Sequence, residues 1–553
     1  MKNPVIAIGL DSAQPALLER WMSQGHLPNL SRLREQGAYG RLKSTIKHHR
    51  AELPWTTFLT GVSAEKTGYW GPISYDPKIR GLIDNGIYAG AYDFAEYPPF
   101  YALGNDYQVA VLDMPQTKIH EQVNGVQVLA WGAHAPMSPS HSEPSSLLQE
   151  MTDQYGPHPL LHRDAIDWRF KHETDVFKEG LKTGLRRRAE ICQNLLQKEK
   201  WDLLLTIFSE THAAEHFMWH LSQPHPLNNF DAFKGASAGD PMLEVFKAAD
   251  KAIGEILEKV PDDTNVIVFS AHGMSGNNMD LPSNVFLPEL LYRWNFPGKK
   301  GIVGKSGKIE KIKPRNADQR VWTAELWYLR HEPNPIKRFF REHVHPKFYY
   351  PLRLETLSGK SYPTDLNRKP SAVHWLPASW YEPVWPKMKA FALPSYSEGR
   401  IRINLQGRET DGIVPASNYK AVCDEICQIL YRVEDGRTGK PLVKKIECTQ
   451  QSAADQNPKL SDADLIIHWR DTPTDTAMSP DYGRIGPVPF NRAGGHYSSG
   501  FLLAKGPGIE PNSDISNGKT LDLTPTILNL MEAPIPDYFE GRALLGKALS
   551  IVS

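Results

Sequence analysis

A chain of 553 residues, 40% hydrophobic and 10% aromatic, can build more than one domain or one large domain carrying an insertion. Its 63 basic residues balance 63 acidic ones, so no global field favours nucleic acid or an anionic membrane. Any affinity for phosphate must come from a local site, and no stretch approaches the roughly 20 apolar residues of a membrane span.

Val5-Ile-Ala-Ile-Gly-Leu10 reads as the first strand, an apolar run too short for a secretory signal. Further strands are expected at 108–112, 126–131, 203–208, 265–270 and 501–505, and the Leu42-Lys-Ser-Thr-Ile run also reads as extended. Amphipathic helical patterns fall at 15–22, 174–198 and 242–259. Strands alternating with helices of this length predict an α/β fold, a mainly parallel sheet covered on both faces, with sites outside the carboxyl ends of the strands. Asp11, Glu210 and His272 all fall just after such ends.

Residues 281–393 lack a steady period and are rich in Pro, Trp, Tyr and basic residues, for example Trp375-Leu-Pro-Ala-Ser-Trp-Tyr-Glu-Pro-Val-Trp385. They read as an inserted lid, with 1–280 and 394–553 forming the core. Four scattered cysteines do not make a disulfide framework. Cys423 and Cys427, one helical turn apart, read as a packing pair, and a reducing cytoplasm is the expected location.

Ala51-Glu-Leu-Pro-Trp-Thr-Thr-Phe-Leu-Thr-Gly61 resembles the nucleophile helix of the alkaline-phosphatase superfamily, in its branch of type I phosphodiesterases, nucleotide pyrophosphatases and phosphomutase-like proteins. Further matches are Gly9-Leu-Asp11, the run from Ser209 to His216, Val268-Phe-Ser-Ala-His-Gly-Met274, Gly399-Arg-Ile-Arg-Ile-Asn-Leu-Gln-Gly-Arg-Glu409 and Gly494-Gly-His496. The resemblance implies an alkaline-phosphatase-like sheet and a centre of two metals, commonly zinc. It also marks departures. The Thr or Ser expected four residues before Trp55 is Ala51, the first Asp of the helical ligand pair is His212, and the Asp expected before His272 is Ala271.

Residue by residue, the resemblance implies that His212, His216 and His496 hold a first ion, while Asp11 and His272 remain for a second. Three neutral imidazoles with an open fourth position suit a catalytic zinc. Two ligands rarely hold a divalent ion, so one firmly bound Zn2+ is expected and a second site is doubtful. Glu210 is the candidate base, with Arg50 or His49 holding an anionic group.

The leading expectation is a metal-dependent hydrolase acting on a small phosphoester or related anionic ester, by attack of a metal-bound water instead of through a covalent phospho-enzyme. A nucleic-acid polymer or a membrane is not an expected partner. The alternatives are a non-catalytic binding member of the superfamily, a metalloenzyme turned to non-phosphoryl chemistry, and a phosphodiesterase that has lost its parts.

Overall fold

The computed structural model describes the chain apart from residues 1–2, 45–52, 72, 85–91, 133–138, 162–165, 167–170, 227–238, 305–306, 310–321, 323–324, 327–328, 337, 340–375, 451, 456, 458 and 547–553. Two compact units result. The first comprises 1–72, 85–276 and 492–553, and the second 73–84 and 277–491.

The first unit is built on a nine-stranded sheet. Its strands in chain order are β1 (Val5–Leu10), β2 (Ala38–Lys43), β3 (Gly104–Leu112), β4 (Val123–Leu129), β5 (His141–Glu143), β6 (Leu203–Phe208), β7 (Asn265–Ser270), β10 (Ser499–Lys505) and β11 (Ser513–Asp514). Across the sheet they run β11-β2-β10-β7-β1-β6-β3-β4-β5. The five from β7 to β4 are mutually parallel, β10 runs antiparallel to β7 and β2, and β5 is antiparallel to β4. A separate antiparallel ribbon joins β8 (Gly273–Gly276) to β9 (Gly494–Tyr497).

Every residue of β1, β6 and β7 is buried, which is why these strands read as continuous apolar runs instead of alternating ones. Alternate side chains serve opposite faces. Val5, Ala7, Leu205, Ile207, Ile267 and Phe269 share a core cluster with Trp55 and Phe58 of α2 (Leu53–Thr60), whose Phe58 stacks on Phe269 at 4.9 Å. On the other face, Arg188 of α3 (Lys171–Lys198) lies over the Phe208 ring at 5.8 Å. Helices α3, α4 (Glu210–Ser222) and α5 (Pro241–Leu257) pack on one another. Asp240 caps α5 by accepting from the Met242 and Leu243 amides, and Pro241 supplies the first helical residue.

The longer segment of the second unit runs from Asn277 to Asn491, whereas the insertion was expected at 281–393. The reason is local. Ala390–Leu393, Gly399–Ile403, Leu465–Trp469 and Val443–Cys448 form their own four-stranded antiparallel sheet in that order. Within the Gly399–Glu409 motif, Arg402 pairs with Glu409 at 2.8 Å and Arg408 with Asp464 at 2.7 Å, so its charges serve the interior of this unit. Cys423 is buried and Cys427 half-buried on one helix, and none of the four cysteines is in a disulfide. Among the described residues, no helix is long and apolar enough to cross a membrane.

Candidate metal centre

The parallel strands β1, β6 and β7 end side by side, Leu10 opposite Phe208 and Gly9 opposite Phe269. Asp11, Glu210 and His272 therefore leave the same edge of the sheet. The chain passes from β6 through Ser209 straight into α4, and His212 and His216, one turn apart, share a face of that helix. His496 arrives from β9, where it stands opposite Met274 of β8.

All three imidazoles are buried, and each offers a ring nitrogen within 4.8 Å of those of the other two. Ring centroids lie 4.3 Å apart for His212 and His216, 4.9 Å for His216 and His496, and 5.2 Å for His212 and His496. His216 Nδ1 sits 2.8 Å from the Gly494 carbonyl oxygen. A carbonyl only accepts, so Nδ1 carries the proton and Nε2 carries the lone pair, the arrangement a metal-ligating histidine needs. The approach of β9 to α4 demands glycine, because a Cβ on Gly494 would lie 2.2 Å from the Glu215 carbonyl oxygen. By donor chemistry, three imidazoles with one ring already oriented fit a zinc ion.

Asp11 and His272 meet each other beside this trio. His272 Nε2 is 3.6 Å from Asp11 Oδ1 and 2.7 Å from Ser12 Oγ, and the His272 ring lies 5.0 Å from that of His496. Ser12 Oγ also lies 3.3 Å from Asp11 Oδ1. Trp55, four residues beyond position 51, packs edge-on against His272. At 271 the buried side chain is a methyl, so this pair gains no second carboxylate from there. Ser12 holds φ +58°, in the left-handed region that glycine occupies without penalty. A serine there carries about 1–2 kcal/mol of strain. Ser12→Gly should therefore be more stable than Ser12→Ala by about 1–2 kcal/mol in urea unfolding, since only glycine relieves the strain. Equal stability of the two would show that the backbone at 12 is relaxed.

Glu210 does not join the trio. Its Oε1 is held by Arg188 at 3.1 Å and by His158 Nε2 at 3.2 Å, and Arg188 reaches on to Asp113 at 2.8 Å. Burial pushes the Glu210 carboxyl up, but the Arg188 charge and His158 outweigh it and leave it below the usual carboxylate range. A carboxylate so held is a poor proton acceptor and a good anchor for the start of α4. Glu215, buried next to His216, accepts from the Gln14 amide at 3.2 Å. Burial, with the nearby Asp11 charge, raises its carboxyl well above the ordinary value. His49, Arg50 and Ala51 lie outside the described residues.

Sequence reasoning missed Ser12 and Arg492. Ser12 adjoins a ligand candidate but has no motif role of its own. Arg492 sits four residues before His496 in a loop, where no period marks its direction, and its Nη1 lies 2.7 Å from His216 Nε2.

A structure of wild-type alkaline phosphatase PafA aligns with TM-score 0.51 at 12% identity, covering 98% of this chain and 98% of that one. Phosphonoacetate hydrolase from Sinorhizobium meliloti 1021 in complex with phosphonoacetate aligns with TM-score 0.45 at 12% identity, covering 96% of each chain. Murine ectonucleotide pyrophosphatase / phosphodiesterase 5 in complex with AMP gives 0.43 at 11%, covering 97% of this chain and 96% of that one. At that identity the likeness to PafA speaks to the fold alone, which is alkaline-phosphatase-like. No curated protein matches the sequence. The model of the type I phosphodiesterase / nucleotide pyrophosphatase family matches residues 5–326, more than half of the chain and all of its site residues except those in the last segment. The chain thus belongs to the type I phosphodiesterase / nucleotide pyrophosphatase family.

Proposed function

We propose that this chain is a metal-dependent phosphoester hydrolase with one firmly held ion, zinc by its donor set, ligated by His212, His216 and His496. One observation carries the reading: three buried imidazoles from segments far apart in sequence converge with their ring nitrogens within 4.8 Å. Family membership supports a phosphoester as the substrate class. A zinc ion in such a site supplies a polarised phosphoryl oxygen and a water activated near neutral pH. The chain's own residues do the rest. Gly494 orients His216, the Arg188–Glu210 pair anchors the helix start, and His272, held by Ser12 and Asp11, is the titratable group placed to exchange a proton beside the trio. Asp11 and His272 alone make a poor second metal site, and direct attack by water fits a chain with alanine at position 51. The carboxylate of Glu210 serves this scheme as an anchor and not as its base.

The second reading is a binding member without turnover, favoured by the Arg492 contact to His216 Nε2, where a cationic side chain faces a ligand nitrogen. Metal analysis of the purified protein, with bis-p-nitrophenyl phosphate and p-nitrophenyl phosphate assayed before and after chelation, separates the two. About one zinc per chain and turnover abolished by chelator is the expected result. Metal-free protein without chelator-sensitive turnover supports the binding reading. A stable phosphoserine or phosphothreonine would overturn direct attack.

A further inference from the structure

We propose that Arg492 is the anion-holding residue of this centre, resting on His216 Nε2 until a metal takes that nitrogen and turning then to the negatively charged group of the substrate. This deepens the metal reading above and rests on it. Three observations lead there.

The Gly494 carbonyl occupies the proton of His216 Nδ1, so Nε2 can only accept. Arg492 Nη1, 2.7 Å away, can only donate, because a guanidinium has no acceptor and stays protonated. A metal ligated by His216 uses the same lone pair, so guanidinium and ion exclude one another at that atom. The backbone keeps Arg492 close after displacement, since the next residue, Ala493, donates its amide to the His216 carbonyl at 3.0 Å. The half-buried guanidinium therefore stays tethered beside the trio.

Two cations side by side in a partly desolvated site attract an anion. A guanidinium offers a planar fork matched to two oxygens of a phosphate, sulfate or carboxylate, while a metal on three neutral imidazoles adds no negative charge of its own. The combination would suit a ligand that carries anionic oxygens.

Zinc titrations of metal-free wild type, Arg492→Ala and Arg492→Lys, followed by titration of each zinc-loaded protein with inorganic phosphate, test this by calorimetry. Zinc should bind Arg492→Ala roughly tenfold tighter, the size of a charge-assisted hydrogen bond no longer broken. Phosphate should bind the loaded Arg492→Ala protein roughly tenfold more weakly or worse, with Arg492→Lys between, since it keeps the charge and loses the fork. Circular dichroism of each variant establishes that it is folded. Zinc binding equal in all three proteins, or phosphate binding unaffected by the substitutions, overturns the proposal and leaves the metal reading intact. Absence of zinc binding from all three overturns both.

Discussion

Replacing His496 by alanine should strip the protein of tightly held zinc and take hydrolysis with it. The loss in zinc affinity should exceed the roughly 10–100-fold that follows loss of a residue merely supporting a metal ligand. The argument is geometric. His212 and His216 lie one turn apart on a single helix, and two imidazoles alone make a weak, open site. His496, contributed by a ribbon strand from the other end of the chain, turns the pair into a tripod. His212→Ala should do the same, and the double variant His212→Ala/His496→Ala should be little worse than either, because ligands that act as a unit are not additive. Metal content after dialysis against a weak chelator reads the first effect and phosphodiester turnover the second. Full zinc stoichiometry in His496→Ala would remove the tripod from the account.

Replacing Arg188 by methionine should cost about 3–5 kcal/mol of stability, the range for removing one partner of a buried ion pair. Arg188 is fully buried between Asp113 and Glu210 and lies over the Trp131 ring at 5.1 Å. Burial opposes its charge, but the two carboxylates more than compensate and hold the guanidinium protonated. Without it, two carboxylates remain desolvated, and Asp113, itself at φ +62°, must still accept from the Trp131 amide at 2.6 Å. A triple variant with Asp113→Asn and Glu210→Gln added should recover much of the loss, because the cost lies in uncompensated charge more than in missing attraction. Urea unfolding measures both. If the single variant unfolds within about 0.5 kcal/mol of wild type, the network is not an anchor. Zinc affinity of the folded single variant should also fall, since Glu210 opens the helix that carries His212.

How much of this was legible in the sequence depends on how each segment is buried. The strands at 5–10, 203–208 and 265–270 matched to the residue, because burial on both faces writes an unbroken apolar run. The third and fourth strands begin earlier than expected, at Gly104 and Val123, because the polar Asn105, Asp106 and Asn124 near their starts are at least partly exposed and break the apolar run, and the fourth strand ends at Leu129 instead of 131. The short edge strands His141–Glu143 and Ser513–Asp514 carry too few residues for a period to show. The extended run read beyond Leu42 stops at Lys43, and its remainder past Ser44 lies outside the described residues.

In the site, the histidines could be found because a helical i, i+4 spacing and two short motifs mark them. Arg492 could not, because a loop residue's direction is set by tertiary contact. The ion-pair partner of Glu210 could not be read for a similar reason. Its counter-ion comes from the middle of a 28-residue helix, 22 positions away, and nothing in the local pattern joins them.

The bond from His216 to the Gly494 carbonyl spans 278 positions. A polypeptide still emerging from the ribosome, or cut short of its final segment, would present only a two-nitrogen fragment to cellular zinc. High-affinity capture would then wait until the last stretch had closed onto the helix. Because an ion that binds only the closed form stabilises it in proportion to the logarithm of its concentration, zinc supply would set how firmly the last segment stays fastened to that helix.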